Sequence, residues 1–421
     1  MLLADDDRKP LWPWLLGVAL VAVAARIGLG LIVPADIDAL PDQREYLDLA
    51  ASIRAGEGLV LVDDRYAVPQ TLLAQRMPGY PLFLASFNGN VSLVRIAQAI
   101  IEATTAISTV LLAGRFVARR FAVFAGVLVA LNPFLAYFST LILTETLTVA
   151  LFTWGLYAII RSQDGARWWW LAAAFFVVAT YVRPSSAVVF VLLAVVAAIL
   201  PTRGPGGLTR WPLPGGLTAG VVLLLALSPW IWRNFQQLQA FVPLTTNTGI
   251  TLYDGLNVDN TTGQSDQSFV QRMPQLSLMG EVDRSTYLRG WALHFVTERP
   301  VEAARLAVLK TGRTWSPLPL SDDASRLQRI AGLAFALPVF VLALIGLVAG
   351  RLPLRPLLVM LTPVIVLTLL HAITVGSLRY RLPIEPVLAI LGAAGLGTLL
   401  RSRSNRDVSD DVHPGKSEAA A

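Results

Sequence analysis

The chain has no cysteine, so no disulfide holds a loop and no thiolate binds a metal. Histidine is nearly as scarce, and His294, His371 and His413 lie too far apart in sequence to suggest a zinc site. Charge is thin as well: 15% of 421 residues, against 55% hydrophobic residues and a mean hydropathy of +0.60. One soluble core could not bury that much apolar surface, so the chain is predicted to be integral to a membrane. Its apolar runs are too long and uniform for barrel strands. In hydrocarbon every backbone amide needs an internal partner, so these runs are helices. No internal repeat is strong enough to suggest an inverted-repeat transporter.

What is present is a series of about ten apolar runs, near 11–33, 93–114, 121–138, 142–160, 168–182, 184–200, 215–232, 328–350, 355–373 and 382–400. The first contains Ala22-Val23-Ala24, which resembles a signal-peptidase site, but the run continues to Val33 behind an acidic leader and reads as an uncleaved anchor. Arginines set the orientation. Arg115, Arg119, Arg120, Arg161, Arg167, Arg203, Arg210, Arg351, Arg355, Arg401, Arg403 and Arg406 share one side, whereas the opposite short loops hold Arg183, Arg379 and Arg381. The rich side is expected to be cytoplasmic, with both termini, in a bacterial-type inner membrane. The formal charge of +6 reflects this bias and calls for no nucleic acid.

Two long segments, about 34–92 and 233–327, are then external, and both keep amphipathic helical patterns, the second with helices near 280–297 and 299–315. Residues 401–421 are polar and expected to form a disordered cytoplasmic tail behind a single domain spanning 1–400.

In the first external segment, Tyr46, Leu49, Ala50 and Ile53 recur at helical spacing until Gly56 ends the pattern. Asp42 and Glu45 have the spacing of a capping box, which is one sufficient reason for an aspartate there. Asp42 also stands at a membrane-facing mouth with Asp36 and Asp38, where a carboxylate can take a proton from an acceptor hydroxyl. Nothing requires a metal or other cofactor, although these three carboxylates could hold a divalent ion weakly. Arg76 precedes Pro78-Gly79-Tyr80-Pro81, a turn stiffened by two prolines. A lone arginine at an interface often only snorkels. Here Arg183, Arg233, Arg379 and Arg381 are expected at the same face, each beside proline or an aromatic, and together they suggest an anionic ligand.

The ordered segments DQREYLDLA, RMPGYPLF, LTETL, YVRP, PWIWRNF, TTNTGITLYDGLN and RYRLPIEP resemble those of bacterial relatives of the dolichyl-phosphate-mannose protein mannosyltransferases, a superfamily that includes the lipid A aminoarabinose transferases. The resemblance implies an all-α polytopic fold of the GT-C type and a sugar donor carried on polyprenyl phosphate. It also implies a catalytic aspartate in the first external loop and basic residues on the donor phosphate. By position Asp42 matches the aspartate, Arg76 the basic residue before the proline-rich turn, and Glu145 the acidic residue that follows. The Asp-Glu pair typical of protein mannosyltransferases is replaced by Asp42-Gln43, which leaves open whether the acceptor is a protein.

The chemistry is consistent with these residues. Polyprenyl phosphate is already a good leaving group, so one carboxylate base suffices, and arginines stabilise the departing charge. A single displacement by the acceptor hydroxyl inverts the anomeric carbon. Glu145 reads either as a structural partner of Arg183 or as a group orienting a catalytic arginine or the acceptor. Glu45, Tyr46, Tyr80, Asn247 and Tyr253 are the remaining candidates for substrate contact. TTNTGITLYDGLN could bend at Gly249 and Gly255 to close over the site, or be an ordinary polar turn. The expected partners are a polyprenyl-phosphate-linked sugar, an envelope acceptor and the bilayer. A flippase for lipid-linked sugars is the alternative, but it would need charges along a path through the membrane rather than at one face.

Overall fold

The structure, a computed structural model, describes residues 10–411 apart from 35, 39, 201, 205–206, 210–214, 321–323 and 351. Six helices among the described residues are long and apolar enough to cross a membrane: Trp12–Ile32, Val91–Ala113, Leu217–Leu238, Arg326–Ala349, Leu354–Ile373 and Leu378–Arg401. Ala166–Val182 and Ser185–Ile199 are shorter apolar helices. The protein is an all-α polytopic membrane protein, with two-stranded hairpins at residues 61–72 and 202–209 as its strands. The last helix runs from Glu385 to Asp411, so the first residues expected as tail continue it. Residues 412–421 lie outside the described residues.

One predicted span is broken. Residues 121–138 form two helices, Arg119–Ala130 and Pro133–Phe138, because Pro133 cannot donate to the preceding turn. Asn132 caps the second helix, accepting from the amides of Phe134 (2.9 Å) and Leu135 (3.1 Å). The exposed carbonyl end of the first helix is met from another span. Buried Arg26 donates to the carbonyls of Val129 (3.0 Å) and Ala130, and stands 3.8 Å from Glu102. An arginine inside an apolar helix is costly unless paired, and here it satisfies carbonyls that water would otherwise solvate.

The helices Arg326–Ala349 and Glu385–Asp411 pack backbone to backbone. A Cβ on Gly346 would stand 1.9 Å from the Leu391 carbonyl oxygen, and one on Gly395 would stand 2.1 Å from that of Leu342. Hydrocarbon gives packed helices no hydrophobic advantage over lipid, so such close approach is the means of association available.

The two long inter-span segments fold together over one end of the bundle. The helix Pro41–Arg54 ends at Gly56, whose φ of +81° permits a Schellman turn: Glu57 N–H donates to Ser52 and Gly56 N–H to Ile53. The helices predicted near 280–297 and 299–315 are present as Glu281–Glu298 and Pro300–Thr314. Glu281 accepts from the amides of Leu73 (2.7 Å) and Ala74 (3.0 Å), and Arg284 donates to Gln70 (2.6 Å), stitching the second segment to the first.

TTNTGITLYDGLN is not a flexible turn: Asn247–Gly255 is a helix. Its glycines serve close packing rather than bending. A Cβ on Gly249 would lie 1.9 Å from the Ser285 carbonyl oxygen, and one on Gly255 would lie 1.7 Å from that of Thr374. Beside this contact, Lys310 Nζ donates to the carbonyls of Gly255 (3.0 Å), Ile373 (2.7 Å) and Thr374 (3.0 Å). Gly255→Ala is therefore expected to lower stability by about 1–3 kcal/mol through overpacking. A thermal unfolding midpoint equal to that of the parent would contradict this reading.

Candidate active site

Asp42 is not a helix cap. Pro41 occupies the first helical turn, so Leu40 becomes the capping residue, and no side chain bonds the free amides there. The capping box expected from Asp42 and Glu45 is thus absent. Both carboxylates turn instead toward Arg76. Neighbouring Gln43 is buried and structural: its amide donates to the carbonyls of Asp36 (2.8 Å) and Ile37 (3.3 Å), and its carbonyl accepts from Ile142 N–H (2.9 Å).

The RMPGYPLF turn is placed by a glycine. Pro78 caps the helix Gly79–Ala85, and a Cβ on Gly79 would come within 2.7 Å of the Tyr181 carbonyl oxygen. The turn therefore seats against the end of Ala166–Val182, immediately before Arg183, and brings Arg76 to that end. Tyr80 is fully buried and donates to Gln98 (2.7 Å). Gln98 in turn donates to the carbonyls of Ser139 (2.9 Å) and Leu141 (2.8 Å), fixing the irregular stretch that delivers Glu145.

These elements assemble eight charges into one alternating row. Asp63 pairs with Arg65 (2.6 Å), Arg65 with Glu45 (2.7 Å), Glu45 with Arg76 (2.6 Å), and Arg76 with Asp42 (2.5 Å). Asp42 pairs with Arg379 (2.6 Å), Arg379 with Glu145, and Glu145 with Arg183 (3.0 Å). Four carboxylates and four guanidiniums leave the row neutral. Aromatic rings floor it: Arg76 lies over Tyr46 at 5.3 Å from its centroid, and Arg183 over Tyr380 at 5.1 Å. Tyr380 also stacks on buried His371, with ring centroids 4.0 Å apart.

Exposure separates the carboxylates. Asp42 keeps 25% of its side-chain surface open, whereas Glu145 keeps 1%. Asp42 is thus partly open to solvent, whereas Glu145 is enclosed between Arg183 and Arg379. Burial pushes the Asp42 carboxyl up, but Arg76 and Arg379 together outweigh it and hold the group well below the usual carboxylate range. Burial pushes the Arg76 guanidinium down, but Asp42 and Glu45 outweigh it and hold the group well above its ordinary value.

Several expected site residues lie elsewhere. Arg233 belongs to the helix Gly215–Leu238, donates to the carbonyls of Leu59 (3.1 Å) and Leu73, and stacks on Trp230, so it braces the first segment rather than facing a phosphate. Arg381 is fully buried between Glu385 (2.7 Å) and the carbonyl of Ser316 (2.7 Å). Glu385 also takes the amide of Asn132 (2.9 Å), so Arg381 locks the broken helix and is withdrawn from ligand. Tyr80 has no surface to offer a substrate. Asn247 accepts from Gln75 (3.2 Å), and Tyr253 packs edge-on against Phe269; neither touches the row in this way. Asp38 pairs with Arg44 (2.5 Å) at the surface, away from the partners of Asp42, and no group of three or more metal-ligating side chains converges among the described residues. Arg65, Asp63 and His371 were not anticipated. Arg65 and Asp63 are two apart, and the alternation shows only once the 61–72 hairpin folds back on the helix carrying Glu45.

Residues 80–232 match the sequence family described as dolichyl-phosphate-mannose-protein mannosyltransferase. The backbone superposes on the archaeal oligosaccharyltransferase AglB from Archaeoglobus fulgidus, in complex with an inhibitory peptide and a dolichol-phosphate, with a TM-score of 0.52 at 12% identity over 97% of this chain and 53% of that one. The apo form of the Archaeoglobus fulgidus oligosaccharyltransferase gives a TM-score of 0.54 at 13% identity, over 98% of this chain and 53% of that one. The chain shares its fold with these membrane oligosaccharyltransferases. ArnT from Cupriavidus metallidurans, bound to undecaprenyl phosphate, is also similar, with a TM-score of 0.46 and 15% identity over 94% of this chain and 62% of that one. The chain spans about half the length of the oligosaccharyltransferases it matches. No curated protein sequence matches it.

Proposed function

We propose that the protein is an inverting glycosyltransferase that moves a hexosyl or pentosyl unit from a polyprenyl-phosphate donor to an acceptor of the cell envelope, at the external face of the inner membrane. The observation that carries this reading is the partly open Asp42 carboxylate, gripped at 2.5 Å by Arg76 and at 2.6 Å by Arg379. In the proposed step the acceptor oxygen attacks the anomeric carbon as the bond from that carbon to the phosphate oxygen breaks. The hydroxyl proton passes to Asp42, and the bonding electron pair leaves with the polyprenyl phosphate. Arg76 and Arg379 neutralise the growing phosphate charge, because their forks are already aligned beside it. Glu145, with its partners Arg183 and Arg379, positions this clamp and does not itself meet the reacting atoms. Tyr46 supports Arg76 from below.

The dolichol-phosphate in the similar oligosaccharyltransferase complex favours a lipid phosphate as ligand of this chain. Membranes containing the protein, given a polyprenyl-phosphate sugar and an envelope extract, should release free polyprenyl phosphate and form a glycoside of inverted anomeric configuration. Labelled sugar crossing the bilayer with its carrier bond intact would establish the flippase instead.

A further inference from the structure

A second polar cavity, of about 210 Å³, opens in the long segment after the helix Asn247–Gly255. Each lining residue carries a hydrogen-bonding side chain: carboxylates of Asp254, Asp259 and Asp266, hydroxyls of Thr261 and Thr262, and the Arg272 guanidinium are among these groups. The floor is prebuilt. Asp254 is buried and accepts from the Ser265 hydroxyl (2.5 Å) and the Asp266 amide (2.8 Å), while Asn257 accepts from the amides of Asp259 (2.9 Å) and Asn260 (3.0 Å). The rim is open, for Asp259, Thr261, Thr262 and Asp266 are all exposed.

The cavity is tied to the ion-pair row on two sides. Gln267 accepts from Arg65 (3.1 Å), whose guanidinium pairs with Glu45 in the row. On the other side Gly263 accepts from Gly376 N–H (3.3 Å), three residues before Arg379, and Gln264 accepts from Arg313 (3.1 Å). The loop that lines the cavity is therefore hydrogen-bonded to Arg65 of the row and to the segment that leads into Arg379.

We propose that this cavity binds a sugar ring of the acceptor, so that the acceptor is a glycan; this rests on the glycosyltransferase reading above. Its chemistry selects against other occupants. Three carboxylates against one guanidinium repel a phosphate, which excludes the donor's charged end. No set of three metal-ligating side chains converges among the described residues, and the most buried carboxylate, Asp254, already accepts from a hydroxyl and an amide. Acceptor oxygens interleaved with hydroxyls and a single fork donor complement the paired donor and acceptor character of sugar hydroxyls. The volume is below the about 300–1,000 Å³ of pockets for drug-sized ligands, which suits one ring and not an extended chain.

The test is binding in detergent, without turnover. A panel of methyl hexosides and pentosides is presented to the full chain, with saturation-transfer NMR as readout, beside Thr261→Trp, whose indole fills the cavity from its rim. At least one glycoside should bind, and its affinity should fall tenfold or more in Thr261→Trp while polyprenyl phosphate binding stays unchanged. In transfer assays the same variant should raise the acceptor KM by a similar factor and leave the donor KM alone. Equal binding to both proteins, no binding across the panel, or selective capture of a lysine-rich peptide in place of glycosides would each overturn the proposal. Glycoside binding that is lost in Thr261→Trp, from a protein that shows no transfer at all, would retain the sugar subsite and remove only the transferase reading.

Discussion

Asp42→Asn is expected to lower transfer by about 10²–10⁴-fold, the usual loss when a general base is removed, with donor binding retained. An amide keeps the size of the side chain and one acceptor for Arg76 or Arg379, but it cannot take a proton at neutral pH. Because Asp42 caps no helix, the variant should leave the helix Pro41–Arg54 intact, and retained donor binding separates loss of the base from disturbance of its pairs with Arg76 and Arg379. The pH profile adds a second signature. A carboxylate whose pKa is depressed in the folded protein contributes stability above its unfolded pKa, near 3.9, and loses it as pH falls through the lower folded value. The free enzyme should therefore show no limb from Asp42 in kcat/KM for donor between about pH 5 and 8. Once donor phosphate shares Arg76 and Arg379, Asp42 regains basicity, and the acidic limb of kcat should lie at higher pH than that of kcat/KM. Near-parent single-turnover rates in Asp42→Asn would remove the base assignment.

Arg379→Ala should have the next largest effect, on donor affinity and rate together. Arg379 bridges Asp42 and Glu145, so truncation removes half of the proposed phosphate clamp and leaves buried Glu145 with Arg183 as its partner in the row. Loss of one preorganised cation costs about 10²–10³ in rate. A drop in the unfolding midpoint should accompany it, because a buried carboxylate loses a partner. Arg379→Lys should restore stability more fully than rate, since a point charge cannot grip two carboxylates and a phosphate as a planar fork does. Arg76→Ala serves as the companion: it should weaken donor binding with a smaller stability loss, because its partner Glu45 is less enclosed than Glu145, with 9% of its side chain exposed against 1%. Unchanged donor dissociation constants in both alanine variants, measured on folded protein, would dispose of the clamp.

Much of this architecture is legible in the sequence where period and composition decide it. The two helices near 281–298 and 300–314 follow from amphipathic spacing, and the clustering of Asp42, Arg76, Glu145, Arg183 and Arg379 follows from their placement at span ends on one side. What is not legible is direction. Arg233, Arg379 and Arg381 all sit beside aromatics at the ends of spans, yet one braces backbone carbonyls, one joins the row, and one locks a helix break. Sequence distinguishes none of these, because the partners that decide between them, Leu59 and Leu73 for Arg233, Asp42 and Glu145 for Arg379, and Ser316 for Arg381, lie tens to hundreds of residues away. Asp42 is masked by a local rule: its spacing to Glu45 satisfies a capping box, but Pro41 starts the helix two residues early. Asn132-Pro133 likewise carries a break that an apolar-run criterion cannot see.

The ion-pair row also bears on how charge is conserved through the proposed reaction. Empty, it sums to zero, and a donor phosphodiester brings one negative charge. After transfer the lipid phosphate approaches two, since the second ionisation of a phosphate monoester falls near pH 6 (about). In the same step Asp42 becomes neutral by taking the acceptor's proton, and the row gains one positive charge. The total is unchanged. Because Asp42 touches both arginines of the clamp, the proton it accepts releases guanidinium charge at the moment the leaving group requires it. Base and clamp are then a single electrostatic unit, and return of that proton to solvent, which restores the carboxylate as a competitor for the arginines, becomes the event that expels the spent lipid.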